Sequence, residues 1–168
     1  MGLMKPQLQP GDTNLLIHPP IPPPLWGTCP RNIMGGKKWK LVSLEVREVG
    51  ICAACGTTHA KKYEAHEVYK YNLHLYRQRL DKIVCVCWMC HQFIHYHHNQ
   101  DAGRKLSEEL SIAIWDHGNM LLHRDNDSFD VWRSTYTQWD DRWHLRWNCK
   151  SYYSDFTEPQ WREYYNIT

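Results

Sequence analysis

Apolar residues recur along the chain with two different periods. From Trp39, the positions Val42, Val46 and Val49 follow at steps of three and four, the stripe of a helix over residues 37–49 with one face to a core. Gly50 ends it. Residues 64–71 alternate loosely and are rich in Tyr and Val, which reads as a strand or hairpin arm. Residues 73–84 are ambiguous. Leu73, Tyr76, Leu80 and Ile83 suit a turn or two of helix, whereas Ile83 to Cys87 reads as a short strand. From Trp88 the spacing is helical again, and His91 and His95, four apart, share a face. Leu106, Leu110 and Ala113/Ile114 mark a further helix. Asp116-His117-Gly118-Asn119 reads as its cap and turn, and Met120 to Arg124 as a second helical piece.

Beyond the polar turn Asp125 to Ser128 the character changes. Residues 143–149 alternate as a strand, Asn148-Cys149-Lys150 reads as a hairpin turn, and Ser151-Tyr152-Tyr153 as the returning strand. Residues 158–165 form a last helix with Pro159 near its start. At the other end, residues 1–14 show no periodicity, and Pro19 to Pro24 is an extended, polyproline-like piece laid over the surface and anchored by Leu25 and Trp26. Gly35-Gly36 breaks the chain before the first helix.

Composition sharpens this picture. The 168 residues suffice for one ordinary domain, or a small core with extensions. Nine Trp and ten Tyr against three Phe give rings that pack a core while keeping a polar edge. Trp143 and Trp147 beside Arg142 and Arg146 read first as packing, and alternatively as a stacking and phosphate surface. The net charge of +2 is no electrostatic funnel for nucleic acid, so any such contact must come from a local patch or a bound metal. Lys37, Lys38 and Lys40 read as a solvated helix face before a phosphate contact. No signal peptide or membrane span is expected, and a reducing cytoplasm is the expected location. There is no P-loop, dinucleotide fingerprint or Ser-His-Asp arrangement.

The chemistry concentrates in residues 52–98. Cys52-Ala-Ala-Cys55-Gly56 and Cys87-Trp-Met-Cys90 are two Cys-x-x-Cys pairs. A tight turn lets two thiolates converge on one ion, and the glycine after the second Cys permits the turn backbone. Four soft thiolates favour a tetrahedral structural Zn2+ held by Cys52, Cys55, Cys87 and Cys90, with iron as the alternative. Cys85, two residues before Cys87, faces the same side of a strand but has poorer spacing, and Cys29 reads as a packed thiol. His66 lies between the pairs, and His91, His95, His97 and His98 follow the second one. As single residues, His66 and His95 also suit hydrogen-bonded core histidines, and His97 and His98 solvated ones.

The order Cys-x-x-Cys, a strand His, then Cys-x-x-Cys-His-x-x-x-His resembles the HNH endonuclease superfamily, the His-Me or ββα-metal finger nucleases. His66-Glu67-Val68-Tyr69-Lys70-Tyr71 resembles a His-Glu-x-Trp/Tyr-x-Tyr signature of small bacterial and phage HNH-like proteins, and Trp26-Gly27 to Pro30-Arg31 with the Trp-bearing helix resembles their leader. The resemblance covers roughly residues 25–98. It implies metal-dependent hydrolysis of a DNA phosphodiester, with His66 as general base, His95 as metal ligand and His91 in support. A second divalent ion, Mg2+ or another, serves the chemistry. Two alignments are open. With Ala65-His66 as the strand pair, the base is kept and a ligand is lost. With His66-Glu67, His66 is the ligand and Glu67 stands where the base belongs. Asn72 and His74 lie near the place of the family's middle residue.

The expected fold is α+β: an extended arm over residues 1–36, a zinc-stabilised ββα-metal finger over 37–100, and an aromatic-rich α/β extension over 101–168. The expected partner is nucleic acid, DNA first, in a bacterial or phage-infected cell, with no membrane and with the aromatic extension open to protein assembly. The competing reading is a catalytically weak or inactive HNH-like domain that binds nucleic acid or protein and is held by a structural zinc.

Overall fold

The computed structural model of the chain describes residues 11–17, 21–96, 106–123 and 139–164. They form a mixed α/β fold with a four-stranded sheet in the order β1-β2-β3-β4. In chain order the elements are α1 (Pro30–Met34), α2 (Gly36–Arg47), β1 (Tyr63–Asn72), β2 (Arg77–Cys87), α3 (Trp88–Ile94), α4 (Glu108–Leu122), β3 (His144–Trp147), β4 (Lys150–Tyr152) and α5 (Glu158–Tyr164). Short 3-10 turns at Thr13–Leu16 and Pro23–Leu25 precede them. No described helix is long and apolar enough to cross a membrane.

The chain divides into two compact units, each assembled from three stretches. One is Met1–His18, Ser43–Val68 and Ile83–Ser128; the other is Pro19–Val42, Tyr69–Lys82 and Phe129–Thr168. The β1/β2 hairpin gives its base to the first unit and its outer half to the second.

In the first unit the base of β2 is buried on both faces, at Val84, Cys85, Val86 and Cys87. Such a run is apolar throughout rather than alternating, which is why Ile83 to Cys87 reads as a strand while the residues before it look ambiguous. α3 starts directly on Cys87, whose side chain accepts the Cys90 N–H and so caps the helix. α4 lies against α3 and the 3-10 turn that buries Leu15 and Leu16. Ser107 caps α4 by accepting the Leu110 N–H, and Glu108 and Glu109 suit the positive end of its dipole. The helix runs on through Asp116-His117-Gly118-Asn119, where the sequence predicts a stop, and Met120 to Leu122 continue the same helix. Gly118 stands there for packing: a Cβ on it would lie 2.1 Å from the Phe93 ring.

In the second unit the core is Leu25, Tyr69, Trp143 and Leu145 with Tyr71, Tyr76, Leu80 and Trp147 packed against it. β2 pairs parallel with β3 at Arg77↔His144, and β3 pairs antiparallel with β4 at Trp147↔Lys150. The proline run departs from expectation, since Pro22, Pro23 and Pro24 are buried and the last two enter a 3-10 turn. Trp39 is buried under the Arg31 guanidinium, 5.1 Å from its ring, while Val49, expected on the same stripe, is 44% exposed beyond the helix end. Trp143 is buried, and Arg142 is held by Asp140 at 2.7 Å and lies 3.6 Å over the Tyr76 ring. Trp143 is thus a core residue, whereas the Arg142 side chain is 66% exposed and rests on Tyr76 from the surface.

The β3–β4 turn carries a testable strain. Asn148 and Cys149 both have positive φ, 47° and 59°, the backbone of a type I′ turn. Asparagine tolerates that conformation; cysteine has no side-chain reason to adopt it. Cys149 is an exposed, free cysteine. Cys149→Gly is expected to stabilise the second unit by about 1 kcal/mol, read as a higher urea midpoint. An unchanged or lower midpoint would remove this account of the turn.

Candidate metal centre

Among the described residues, two side-chain clusters of the first unit can hold a metal ion. The first is Cys52, Cys55, Cys87 and Cys90, whose sulfurs all lie within 4.8 Å of one another. Two backbone turns produce it. In the first, Gly56 takes φ +74° and donates its N–H to the Cys52 carbonyl at 2.8 Å, while the Cys55 N–H points at the Cys52 sulfur at 3.5 Å. The second is the start of α3, where the Cys90 N–H points at the Cys87 sulfur, also at 3.5 Å. The turns are tied together by the Ala53 N–H on the Cys85 carbonyl at 2.8 Å. The 52–55 loop is also stitched to the N-terminal stretch, because the Gly11 and Asp12 N–H groups both donate to the Ala53 carbonyl.

Charge is crowded among these sulfurs. Hydrogen bonds from Cys87 and Cys90 hold the Cys52 thiol far below its ordinary range. Its partners move the other way: the bond to Cys52 pushes Cys87 up to about 12, and the bonds to Cys52 and Cys87 push Cys90 up strongly, with burial adding to both. A cation among the sulfurs would offset this crowding and let thiols ionise that burial and their neighbours otherwise keep protonated. His117 adds a neighbour, its Nε2 3.3 Å from the Cys90 sulfur. Burial lowers its pKa. The sequence marks it only as a turn residue. Cys85 stays outside the cluster, with burial raising its pKa. A cavity of about 480 Å³ lined by Cys55, Cys87, Trp88 and His117 gives the sulfurs an entry path.

The second cluster is His66, His91 and His95, with ligand atoms likewise within 4.8 Å of one another. His66 comes from β1 and is buried; His91 lies on α3 and His95 caps its end. Their ring centroids are 5.4, 5.1 and 4.7 Å apart. The spacing of four brings His91 and His95 to one helix face, and the chain turn at Cys87 lays that face against β1. Glu64, two residues before His66, bonds His91 Nδ1 with one carboxylate oxygen and Lys62 Nζ with the other, the latter at 2.5 Å. These partners hold its carboxyl down to about 2, the His91 bond first. Glu64 is absent from the residues the sequence singles out.

The structure thus brings together His66, His91 and His95. Glu67 follows His66 on β1, and strand alternation directs successive side chains to opposite faces. Asn72 and His74 belong to the hairpin tip, where Asn72 Oδ1 accepts the Leu75 N–H at 3.0 Å. His97 and His98 lie outside the described residues.

The donor sets decide which ions fit. Four thiolates suit a closed, tetrahedral zinc site. Three imidazoles suit zinc, nickel, cobalt or copper; they are a poor set for Mg2+, which seeks oxygen, so the Mg2+ expected from the sequence does not fit this cluster. No family model, no curated protein and no solved structure matches the chain. The described residues form a mixed α/β fold with one cluster of four cysteines and one of three histidines, each able to hold a metal ion.

Proposed function

We propose that the chain is a zinc-scaffolded domain of the HNH type whose three-histidine site holds a second divalent transition metal and, through it, binds the phosphate backbone of nucleic acid, DNA first. The observation that carries this reading is the convergence of His66, His91 and His95 within 4.8 Å. Three protein ligands leave part of a metal's coordination shell to an outside group, whereas the four thiolates close theirs. A phosphate oxygen suits such a position, and a net charge of +2 gives the rest of the chain little long-range pull on DNA.

Hydrolysis is the second reading, favoured by that same open coordination. When bound, the ion would supply Lewis-acid polarisation of the phosphoryl group. The chain's own residues supply less. His66 is taken up as a ligand in this arrangement, which follows the alignment that pairs it with Glu67. Glu67 would then be the base, and it projects from the other face of β1. Binding therefore ranks above cleavage.

The test measures metal stoichiometry, DNA binding by anisotropy, and plasmid integrity, with Zn2+, Ni2+ or Mn2+ added. Wild type is expected to hold two ions and to bind duplex DNA more tightly with the second one in place. His95→Ala is expected to keep the first ion, to lose at least ~10-fold in affinity for the second, and to lose the metal-dependent part of DNA binding. DNA binding indifferent to the metal and to His95 would sink the reading. Plasmid cutting by wild type that disappears in His66→Ala would promote hydrolysis above it.

A further inference from the structure

We propose that Glu64 is the positioning residue of the three-histidine site: its carboxylate takes the Nδ1–H of His91 and so turns the ring's Nε2 toward a zinc-class divalent ion. The inference rests on the metal reading of that cluster and adds a residue to it. Glu64 and His66 stand at alternate positions of β1, and Lys62 lies just before the strand, so along the chain the carboxylate falls between the cation and the first ligand. Glu64 Oε2 meets His91 Nδ1, and Lys62 Nζ holds Oε1 at 2.5 Å. With Nδ1 engaged, Nε2 is the nitrogen His91 can offer to the cluster.

The arrangement is a carboxylate–histidine–metal relay. A carboxylate on the far nitrogen fixes the tautomer, stops the ring from rotating and makes it a stronger donor. Geometry separates the two roles, because Glu64 touches His91 but lies outside the group of atoms that converge within 4.8 Å. Its side chain is 22% exposed, sheltered enough for the bond to persist, whereas the Lys62 side chain is 60% exposed and acts as a prop.

The test uses the full chain loaded with zinc at the cysteines and titrated with Co2+, followed by calorimetry and visible absorption. Histidine 15N shifts are read with and without Co2+. Glu64→Gln is expected to weaken Co2+ binding by about 10–100-fold while zinc content stays the same. His91 is expected in the Nδ1–H form in wild type, losing that fixed form in the variant. Lys62→Gln, at an exposed position that threatens no core, is expected to weaken Co2+ by less than ~5-fold. Equal Co2+ affinity in Glu64→Gln and wild type overturns the proposal, and so does a wild-type His91 protonated on Nε2. If wild type takes up no Co2+ at all, the metal reading of the histidines falls. The 15N spectrum then still decides whether Glu64 sets the ring.

Discussion

Stripping the metal from the four-cysteine site is expected to unfold the first unit. Among the described residues its core is small: Leu16, Val84, Val86, Phe93 and Ile114 are the large apolar side chains it buries completely. The cysteines themselves fill much of the remainder, with Cys52, Cys87 and Cys90 at most 3% exposed. A structural zinc contributes apparent binding energies of about 10–16 kcal/mol, against about 5–15 kcal/mol for the net stability of a whole domain. Removing it leaves four crowded thiols and a core too thin to hold the 52–57 loop on β2. With chelator, the expected result is loss of the cooperative melt and of hydrogen-exchange protection at residues 52–57 and 84–95. Cys90→Ser should do the same. Cys85→Ala is the control, since it removes a buried thiol outside the cluster and should keep the zinc. A protein that carries no zinc as purified, or that melts cooperatively at the same temperature with and without chelator, would end the scaffold account.

Gly118→Ala is expected to destabilise the same unit by about 3 kcal/mol, at the upper end of what overpacking costs. The sign is the informative part. In an ordinary helix interior this change gains roughly 0.5–1 kcal/mol. Here the new methyl would sit 2.1, 2.2 and 2.3 Å from three atoms of the Phe93 ring. The ring has nowhere to go: it is 1% exposed and already lies against Trp115, with centroids 5.6 Å apart. α4 must therefore back away from α3. Urea midpoints at equal slope provide the measurement. Phe93→Leu in the Gly118→Ala background should recover part of the loss, because the two positions share one space. A Gly118→Ala protein as stable as wild type would show that the helices can separate without cost.

These outcomes depend on features that differ in how openly the chain displays them. The cysteine pairs are plain because the turn that converges two thiolates needs a fixed spacing. His91 and His95 are plain because a helix needs four residues to return to one face. Glu64 stays hidden despite its regular place on β1, since its partner His91 lies 27 residues away and only folding reveals it. Gly118 reads as a stop because glycine commonly ends helices, and close approach to Phe93 is a tertiary demand that composition does not show. Leu73 blurs the start of β2. It is 50% exposed at the hairpin tip, so its apolar character marks no core. The buried prolines differ from expectation for the opposite reason: a polyproline run is predicted from backbone stiffness, and what covers it depends on the rest of the fold.

α3 has one more consequence. Its seven residues begin at Trp88, are capped by the thiol of Cys87, contain Cys90 and His91, and end against His95. A helix this short has no independent existence in water, where even favourable sequences need about 12–15 residues. His91 and His95 share a face only while the thiolate end is held. On the proposed reading the two ions are therefore taken up in a fixed order, sulfur site first, and the histidines stay silent until it is filled. The domain behaves as a latch, in which scarcity of one metal withholds the use of another.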